Sequence, residues 1–274
     1  MINNKPINLL QKGSKMKIST LCVHIFTQFP AMQHLFVSFF SSIGNFFAKL
    51  TAVSFKAMFR LQWSANIPEN FDHRIDLYHQ WQTSKNPLWV ERGVFNVVAL
   101  QMFSEPITVE LCCGDGFYAK YFYSISSKEI FSCDFDEDII KIAKRYNSMH
   151  NIHYHVADIR DGIMNIFQNN ITQGSVTNII WDAAIEHFTE AEIAEIMKDI
   201  KKTLTSDGIL SGYTIINTDK NKKLLEHHER EFTSKDDLRS FFTPHFKNVY
   251  ILETHYSERS NLYFYASDAK VPFL

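Results

Sequence analysis

One short stretch, residues 107–116 (ITVELCCGDG), limits what this chain can fold into more than any other. It begins as an apolar run that is closed by Glu110, and it continues as a turn of small residues. Residues 117–124 then show the pattern of a helix start. Strand, tight turn and helix in this order favour a nucleotide-like ligand at the carboxyl edge of a parallel sheet. Small turn residues let a ligand lie against bare backbone, and the helix start offers free N–H groups.

The turn does not fit the dinucleotide-binding fingerprint GxGxxG, because Cys112 occupies the first glycine position and no third glycine follows. It resembles the first motif of class I S-adenosylmethionine (SAM) methyltransferases, E/D-x-G-x-G-x-G, which reads ELCCGDG here over residues 110–116. Cys112 stands where the family usually has glycine. We therefore expect its backbone to avoid the conformation that only glycine adopts easily.

Two further strands end in acids. Residues 129–134 form a predicted second strand that ends at Asp134, and residues 152–156 a third that is followed by Asp158. Such an acid after the second strand can accept hydrogen bonds from ribose hydroxyls. The resemblance implies that Phe135 and Ile159 enclose the adenine ring and that Asp158 accepts from its amino group. A simple turn role for Asp158 is the alternative.

The fourth predicted strand, residues 175–181, leads into candidate catalytic side chains. Residues 185–187 (IEH) match the Leu-Glu-His segment of the family, and the resemblance places this edge near the transferred methyl group. Asp182, Glu186 and His187 are therefore the catalytic candidates. His187 is the best general base, since histidine titrates near neutral pH, and a structural role at a helix start is its alternative. Some quinone-directed relatives carry a metal-binding acid at the position of Ala183, so its absence argues against a metal.

The resemblance implies SAM as the cofactor and a set of residues that surround it. Two residues of the segment before the first strand, Arg74 and Tyr78, are expected to close over SAM or the substrate, with core packing as the alternative. Glu110 would orient the ammonium group of SAM, directly or through water. The complete predicted cofactor-binding set is Glu110, Cys112, Gly114, Asp115, Gly116, Asp134, Phe135, Asp158, Ile159, Trp181, Tyr78 and Arg74.

The order of the predicted elements gives the fold class. We expect an α/β protein with a Rossmann-like, seven-stranded and mostly parallel sheet, an antiparallel last strand and helices on both faces. Two alternating, aromatic-rich strands at residues 247–254 and 261–267 supply the final hairpin. The predicted regions are an N-terminal helical extension (1–65), a helical cap (66–104), the SAM-binding domain (105–268) and a tail (269–274).

The N-terminal extension is basic and rich in phenylalanine. No acid precedes Glu69, and a predicted helix at residues 35–61 has a wide apolar face and a narrow polar stripe that contains Lys49, Lys56 and Arg60. It can pack on the catalytic domain or on a second subunit, or it can lie on a membrane surface. A membrane span fits poorly, because the apolar part after Pro30 is shorter than the ~20 residues required.

Composition limits the function further. The net charge of −2 does not favour nucleic acid as a partner, and the four cysteines include no CxxC pair. We therefore expect a cytoplasmic protein, with peripheral membrane attachment left open. The predicted activity is SAM-dependent methylation of an oxygen or nitrogen of a small molecule, such as a sugar, an amine or a lipid-linked acceptor. The alternative is a catalytically silent protein that binds SAM or docks at a membrane.

Overall fold

The computed structural model of the chain describes residues 88–217, 224–256 and 259–274, together with positions 39, 40, 42–44, 46, 47, 50, 51, 53, 54 and 57. Contacts divide the chain into two compact units, residues 1–60 and 61–274. The part of the predicted helical cap that contains Arg74 and Tyr78 lies outside the described residues.

The larger unit is built on a seven-stranded sheet with the order β3-β2-β1-β4-β5-β7-β6. Strands β1 to β5 run parallel, whereas β7 is antiparallel to both β5 and β6. The predicted fold class is therefore confirmed. The strands are β1 Ile107–Leu111, β2 Glu129–Asp134, β3 Ile152–Val156, β4 Val176–Asp182, β5 Leu204–Ile215, β6 Asn248–His255 and β7 Ser260–Ser267.

The strand register brings the strand ends together at one edge. Glu110 of β1 lies opposite Ser132 of β2 on one side and Ile180 of β4 on the other. Asp134, the last residue of β2, lies opposite Val156, the last residue of β3. Because parallel strands share one direction, the side chains that follow them meet at the carboxyl edge of the sheet.

Helices cover both faces of the sheet. One core packs β1 and β4 against the two helices that contain Ile196 and Phe242, and it includes Trp181. The core on the opposite face includes Leu100 and Ile140 of two other helices. The described helices of this unit are α1 Leu88–Leu100, α2 Glu137–Tyr146, α3 Ile163–Ile166, α4 Glu190–Thr203 and α5 Lys235–Phe242. Shorter helical turns are the π-type turn Ala119–Tyr123 and the 3-10 turns Ile159–Asp161 and Ile185–His187.

Side chains that accept hydrogen bonds from backbone N–H groups cap the starts of three helices. Asp136 accepts from the backbone N–H groups of Asp138 and Ile139 at the start of α2. Thr189 and Glu192 form a reciprocal capping box at the start of α4. Ser234 caps α5 by accepting from Asp237 N.

One local expectation was wrong. Residues 206–208 (SDG) are typical of a turn, and this pattern predicts a strand that begins only at Ile209. Instead β5 begins at Leu204 and contains an irregularity, since Val176 lies opposite Leu204 whereas Asn178 lies opposite Ile209. Three extra residues of β5 therefore bulge out between these two pairs.

Every described position between 39 and 57 is helical and exposed. The exposed side chains include Phe39, Phe40, Phe46 and Phe47, each with more than half of its surface accessible to solvent. Within the part of the chain that the structure describes, no helix combines the length and the apolar character needed to cross a membrane.

Candidate active site

A cavity of about 610 Å³ opens at the carboxyl edge of the sheet. Its wall combines acids, small turn residues and aromatic rings. The predicted site residues that line it are Glu110, Cys112, Gly114, Asp115, Asp134, Phe135, Asp158, Ile159, Asp182 and His187. Its volume falls within the range of small-molecule and cofactor sites, roughly 300–1,000 Å³.

The turn after β1 has a left-handed backbone. Gly114 has φ 56° and Gly116 has φ 73°, and Cys112 has φ 55°. The expectation that Cys112 avoids this region was therefore wrong, and its backbone is strained there. Space around Gly114 is open, so a ligand can reach its backbone, whereas any Cβ on Gly116 would collide with the ring of Tyr154. The two glycines thus serve different ends: one leaves the cavity wall bare and the other packs the turn.

Glu110 is a buried carboxyl group at the floor of the cavity. Burial raises its pKa to about 8, even though the hydroxyl of Ser132 donates a hydrogen bond of 2.8 Å to Oε2 and works in the opposite direction. The neighbouring carboxyl groups of Asp182, Asp115 and Asp134 raise the pKa further. A wall so rich in carboxyl groups favours a ligand that carries positive charge.

Asp134 holds the turn and faces the cavity at the same time. Its Oδ2 accepts from Gly114 N at 3.0 Å and its Oδ1 from Asp136 N at 3.1 Å. Burial raises the pKa of Asp134, against these two backbone hydrogen bonds. Phe135 follows with 72% of its surface exposed although it lines the cavity, so its ring offers a flat apolar surface to a ligand.

Asp158 already has a charged partner. Arg160 donates to both carboxylate oxygens, with Nε at 2.9 Å from Oδ1 and at 3.0 Å from Oδ2. These hydrogen bonds lower the pKa of Asp158. Sequence reasoning missed Arg160, which also lines the cavity and reaches Glu192 at 3.1 Å. The buried side chain of Ile159 lies beside it in the wall.

Asp182 is paired with an arginine that sequence reasoning also missed. Arg92 of α1 donates to its Oδ2 from Nε at 3.0 Å and from Nη2 at 2.5 Å. The guanidinium lies between the rings of Tyr118 and Tyr213, each 4.8 Å from Cζ. Two buried polar atoms of the wall, Asp182 Oδ1 and Tyr118 Oη, have no hydrogen-bond partner among the residues that the structure describes. They are therefore suited to bind polar groups of a ligand.

His187 lies at the cavity wall beside a second imidazole, His227. Their rings are stacked with centroids 4.9 Å apart, and His187 Nδ1 lies 3.3 Å from the carbonyl oxygen of His227. A carbonyl oxygen only accepts, so Nδ1 of His187 carries the proton and Nε2 carries the lone pair. Burial lowers the pKa of His187 and of His227, which favours neutral rings.

The comparisons with known proteins agree with this geometry. Residues 109–208, from β1 to the bulge of β5, match a protein-family model described as a methyltransferase domain. This chain therefore contains a methyltransferase domain, and its sheet has the fold of class I SAM-dependent methyltransferases. SAM is the methyl donor of that class. No curated protein matches the chain by sequence.

Solved structures share the fold of this methyltransferase. A complex of DhpI with SAH superposes with a TM-score of 0.53 at 12% identity and covers 83% of this chain and 96% of its own. The N-methyltransferase NodS from Bradyrhizobium japonicum WM9 gives 0.53 at 12% identity, with 68% of this chain and 99% of NodS covered. A SAM-dependent methyltransferase from Leishmania major gives 0.50 at 11%, with coverages of 70% and 78%. At these identities the likeness extends to the fold alone.

Three predicted site residues of the methyltransferase domain lie behind the cavity wall. Trp181 is fully buried against Phe188, and Glu186 is buried with its Oε2 accepting from Thr214 at 3.0 Å. Burial raises the pKa of Glu186. The third, Gly116, packs the turn as described above. Asp115 lines the cavity, but its Oδ1 accepts from Phe117 N at 3.1 Å and so also caps the following helical turn.

Proposed function

We propose that this methyltransferase transfers the methyl group of SAM to an oxygen or nitrogen atom of a small molecule bound in the same cavity. The observation that carries the proposal is the junction of two kinds of wall in one cavity of about 610 Å³. One wall carries the acids and the aromatic ring expected for SAM. The other, which we call the acceptor wall, carries polar side chains suited to an acceptor, namely Arg92, Tyr118, Asp182 and His187.

On the SAM side, each residue has one role in the proposal. Glu110 binds the ammonium group, and the open backbone at Gly114 receives the methionine portion. Asp134 accepts from the ribose hydroxyls, and the exposed ring of Phe135 stacks on adenine with Ile159 on the opposite side. Asp158 accepts from the adenine amino group in place of a hydrogen bond to the exposed Arg160, which donates two hydrogen bonds to each carboxylate oxygen.

On the acceptor side, Asp182 and Tyr118 bind polar hydrogens and lone pairs of the substrate. Arg92 keeps the Asp182 carboxylate in place. An amine acceptor then needs only its neutral form, whereas a hydroxyl acceptor also needs a base. The lone pair on His187 Nε2 serves as that base. Because SAM carries an activated methyl group, the protein contributes placement and water exclusion rather than a stronger electrophile.

Two measurements test this proposal. Isothermal titration calorimetry with SAM and with SAH should show one site per chain on the folded protein. A transfer assay with methyl-radiolabelled SAM and a small-molecule fraction of cell extract should then label a low-molecular-weight product. Binding without transfer would favour the silent SAM-binding alternative, and absence of binding by either ligand would contradict the proposal. The variant Asp182→Asn should lose transfer yet keep SAH binding, since it removes none of the groups that are proposed to bind SAH.

We also propose that the N-terminal helix places the enzyme on an anionic membrane surface. The exposed Phe39, Phe40, Phe46 and Phe47 support this, because apolar rings on a helix with basic residues in sequence suit the lipid interface. Association with a second copy of the chain is the competing outcome. A membrane position would suit a lipid-linked acceptor.

A further inference from the structure

Three imidazoles converge beside the acceptor wall. One ring nitrogen from each of His187, His227 and His228 lies within 4.8 Å of the other two. The ring centroids are 4.9 Å apart for His187 and His227, 5.1 Å for His187 and His228, and 5.5 Å for His227 and His228. His187 and His227 line the cavity, while His228 is buried behind them. We call this group the histidine cluster.

Backbone hydrogen bonds hold the histidine cluster together. The carbonyl oxygen of Glu186 accepts from Glu229 N at 2.9 Å and from Arg230 N at 3.0 Å. These bonds fix the segment of His227 and His228 against the 3-10 turn that carries His187. The Arg230 side chain is anchored in turn to Asp237 of α5 at 2.5 Å. Residues 40 positions apart in sequence are thus brought together by the fold.

The hydrogen bonds also set the tautomers of two rings. His228 Nδ1 lies 2.8 Å from Glu231 Oε1, and Glu231 also accepts from the backbone N–H of Leu224 at 2.7 Å. Since a carboxylate only accepts, His228 carries its proton on Nδ1 and its lone pair on Nε2, as His187 does. A carboxylate that holds the far nitrogen of an imidazole is the outer partner that orients histidine ligands in metal sites.

We propose that His187, His227 and His228 bind a divalent transition-metal ion of the zinc type at the acceptor side of the cavity. Neutral imidazoles suit zinc, cobalt and nickel ions, and three protein ligands leave one position for a substrate oxygen. Metal–nitrogen bonds of about 2.0 Å in a tetrahedral site place the nitrogens roughly 3.3 Å apart. The rings therefore need to approach each other by up to about 1.5 Å, which rotation of the half-buried and exposed rings His187 and His227 supplies.

The consequence for the reaction rests on the proposed methyl transfer and narrows the acceptor to a hydroxyl compound. Coordination of the hydroxyl oxygen lowers its pKa, so its proton leaves to solvent and His187 acts as ligand instead of base. The oxygen lone pair then attacks the methyl carbon while the carbon–sulfur bond breaks. The bonding pair stays on sulfur and SAH is formed.

The first test measures metal binding itself on tag-free, full-length protein. Titration with Co²⁺ should give one ion per chain and the intense visible bands of a tetrahedral site, and Zn²⁺ should displace it. His187→Ala and His227→Ala should each weaken Co²⁺ binding at least tenfold. His150→Ala is the matched control, because His150 is exposed and lies outside the cluster, and it should bind as the wild type does.

A second variant tests the outer partner. Glu231→Gln keeps all three imidazoles but removes the carboxylate behind His228, so Co²⁺ affinity should fall about 10–100-fold. Co²⁺ binding that is equal in the wild type, His187→Ala and His227→Ala, or that is absent from wild-type protein with a native melting curve, would overturn the metal site. SAH titration of the same samples separates this result from the proposed function, since SAH binding is assigned to Glu110, Asp134 and Phe135 and not to the histidine cluster.

Discussion

Arg92 Nη2 lies 2.5 Å from Asp182 Oδ2, with only 12% and 7% of the two side chains exposed. This ion pair joins helix α1, which precedes the sheet, to the end of β4. It fixes one wall of the cavity by electrostatic attraction as well as by packing, because the guanidinium also lies between two tyrosine rings.

Removal of one partner should therefore be costly. Arg92→Met leaves the Asp182 carboxylate buried without its cation and should lower the free energy of unfolding by about 3–5 kcal/mol. The double variant Arg92→Met/Asp182→Asn should recover part of that loss, since no buried charge remains. Urea denaturation of the two single variants and the double variant gives the coupling energy. Additive effects would show that the pair is energetically irrelevant.

The affinity for SAH should depend on pH through Glu110. With a pKa of about 8, Glu110 is mostly protonated below that pH, and binding to an ammonium group requires its carboxylate. The affinity for SAH should therefore fall by up to about tenfold for each pH unit below 8, because Glu110 must lose its proton when the ligand binds. Above pH 8 the ligand's own amine loses its proton and the gain ends. Calorimetry between pH 6 and 8 measures this slope, and Glu110→Gln should abolish it. A flat wild-type profile would mean that Glu110 does not contact the ammonium group.

The proposed role of Asp134 in ribose binding can be tested with a variant that disturbs the turn less than alanine would. Asp134→Asn keeps an oxygen that accepts from Gly114 N or Asp136 N, so the turn should survive with a nearly native melting temperature. Binding of SAH should weaken by roughly 1–3 kcal/mol, because the ribose hydroxyls lose a charged acceptor. Asp134→Ala should weaken binding as well and also lower stability. If Asp134→Asn binds SAH with the affinity of the wild type, Asp134 has only a structural role in the turn.

The two cysteines that line the cavity, Cys112 and Cys113, and the buried Cys133 should react slowly. Burial raises the pKa of the Cys112 and Cys113 thiols well above the usual range, and that of Cys133 to about 12, so few thiolates exist at pH 8. Iodoacetamide should label them slowly, SAH should slow labelling of Cys112 and Cys113 further, and guanidinium should make all three react quickly. Peptide mass spectrometry follows each thiol. Fast labelling of the native protein with no effect of SAH would contradict this placement.

The N-terminal helix gives a prediction about membranes. The full-length chain should sediment with vesicles that contain phosphatidylserine, less with phosphatidylcholine alone, and partly dissociate at high salt, because each basic residue near an anionic surface adds about 1 kcal/mol. A variant with Phe39, Phe40, Phe46 and Phe47 replaced by serine should lose this binding but still bind SAH. If that variant ignores vesicles as the wild type does and instead changes from dimer to monomer, the helix is a subunit interface.

Local sequence patterns were enough to predict the strands and the acids that follow them. The positions of Glu110 and Asp134 in the site could be predicted, because each residue ends an apolar run and a parallel sheet places such positions at one edge. Contacts between side chains that are distant in sequence could not be predicted. Nothing near Asp182 in sequence indicates Arg92, which is 90 residues away. The approach of His227 to His187 likewise depends on backbone hydrogen bonds between distant segments.

The backbone of Cys112 shows a second limit of sequence reasoning. A non-glycine residue usually avoids positive φ, yet Cys113 N donates to Cys133 O at 2.9 Å and Gly114 N to Asp134, and these bonds hold the turn in place. The tertiary structure therefore overrides the local preference. Sequence preference alone gives the opposite answer at this residue.

Phe135 keeps 72% of its surface in water at the cavity wall. Because the ring remains hydrated in the folded chain, its burial contributes little to folding stability. It contributes to binding free energy when a flat ligand covers it. When a ligand stacks there, apolar surface leaves water and the heat capacity of the complex falls below that of its separate components. The enthalpy of binding should then become more favourable on warming, and the steepness of that trend measures how much of the ring the ligand hides.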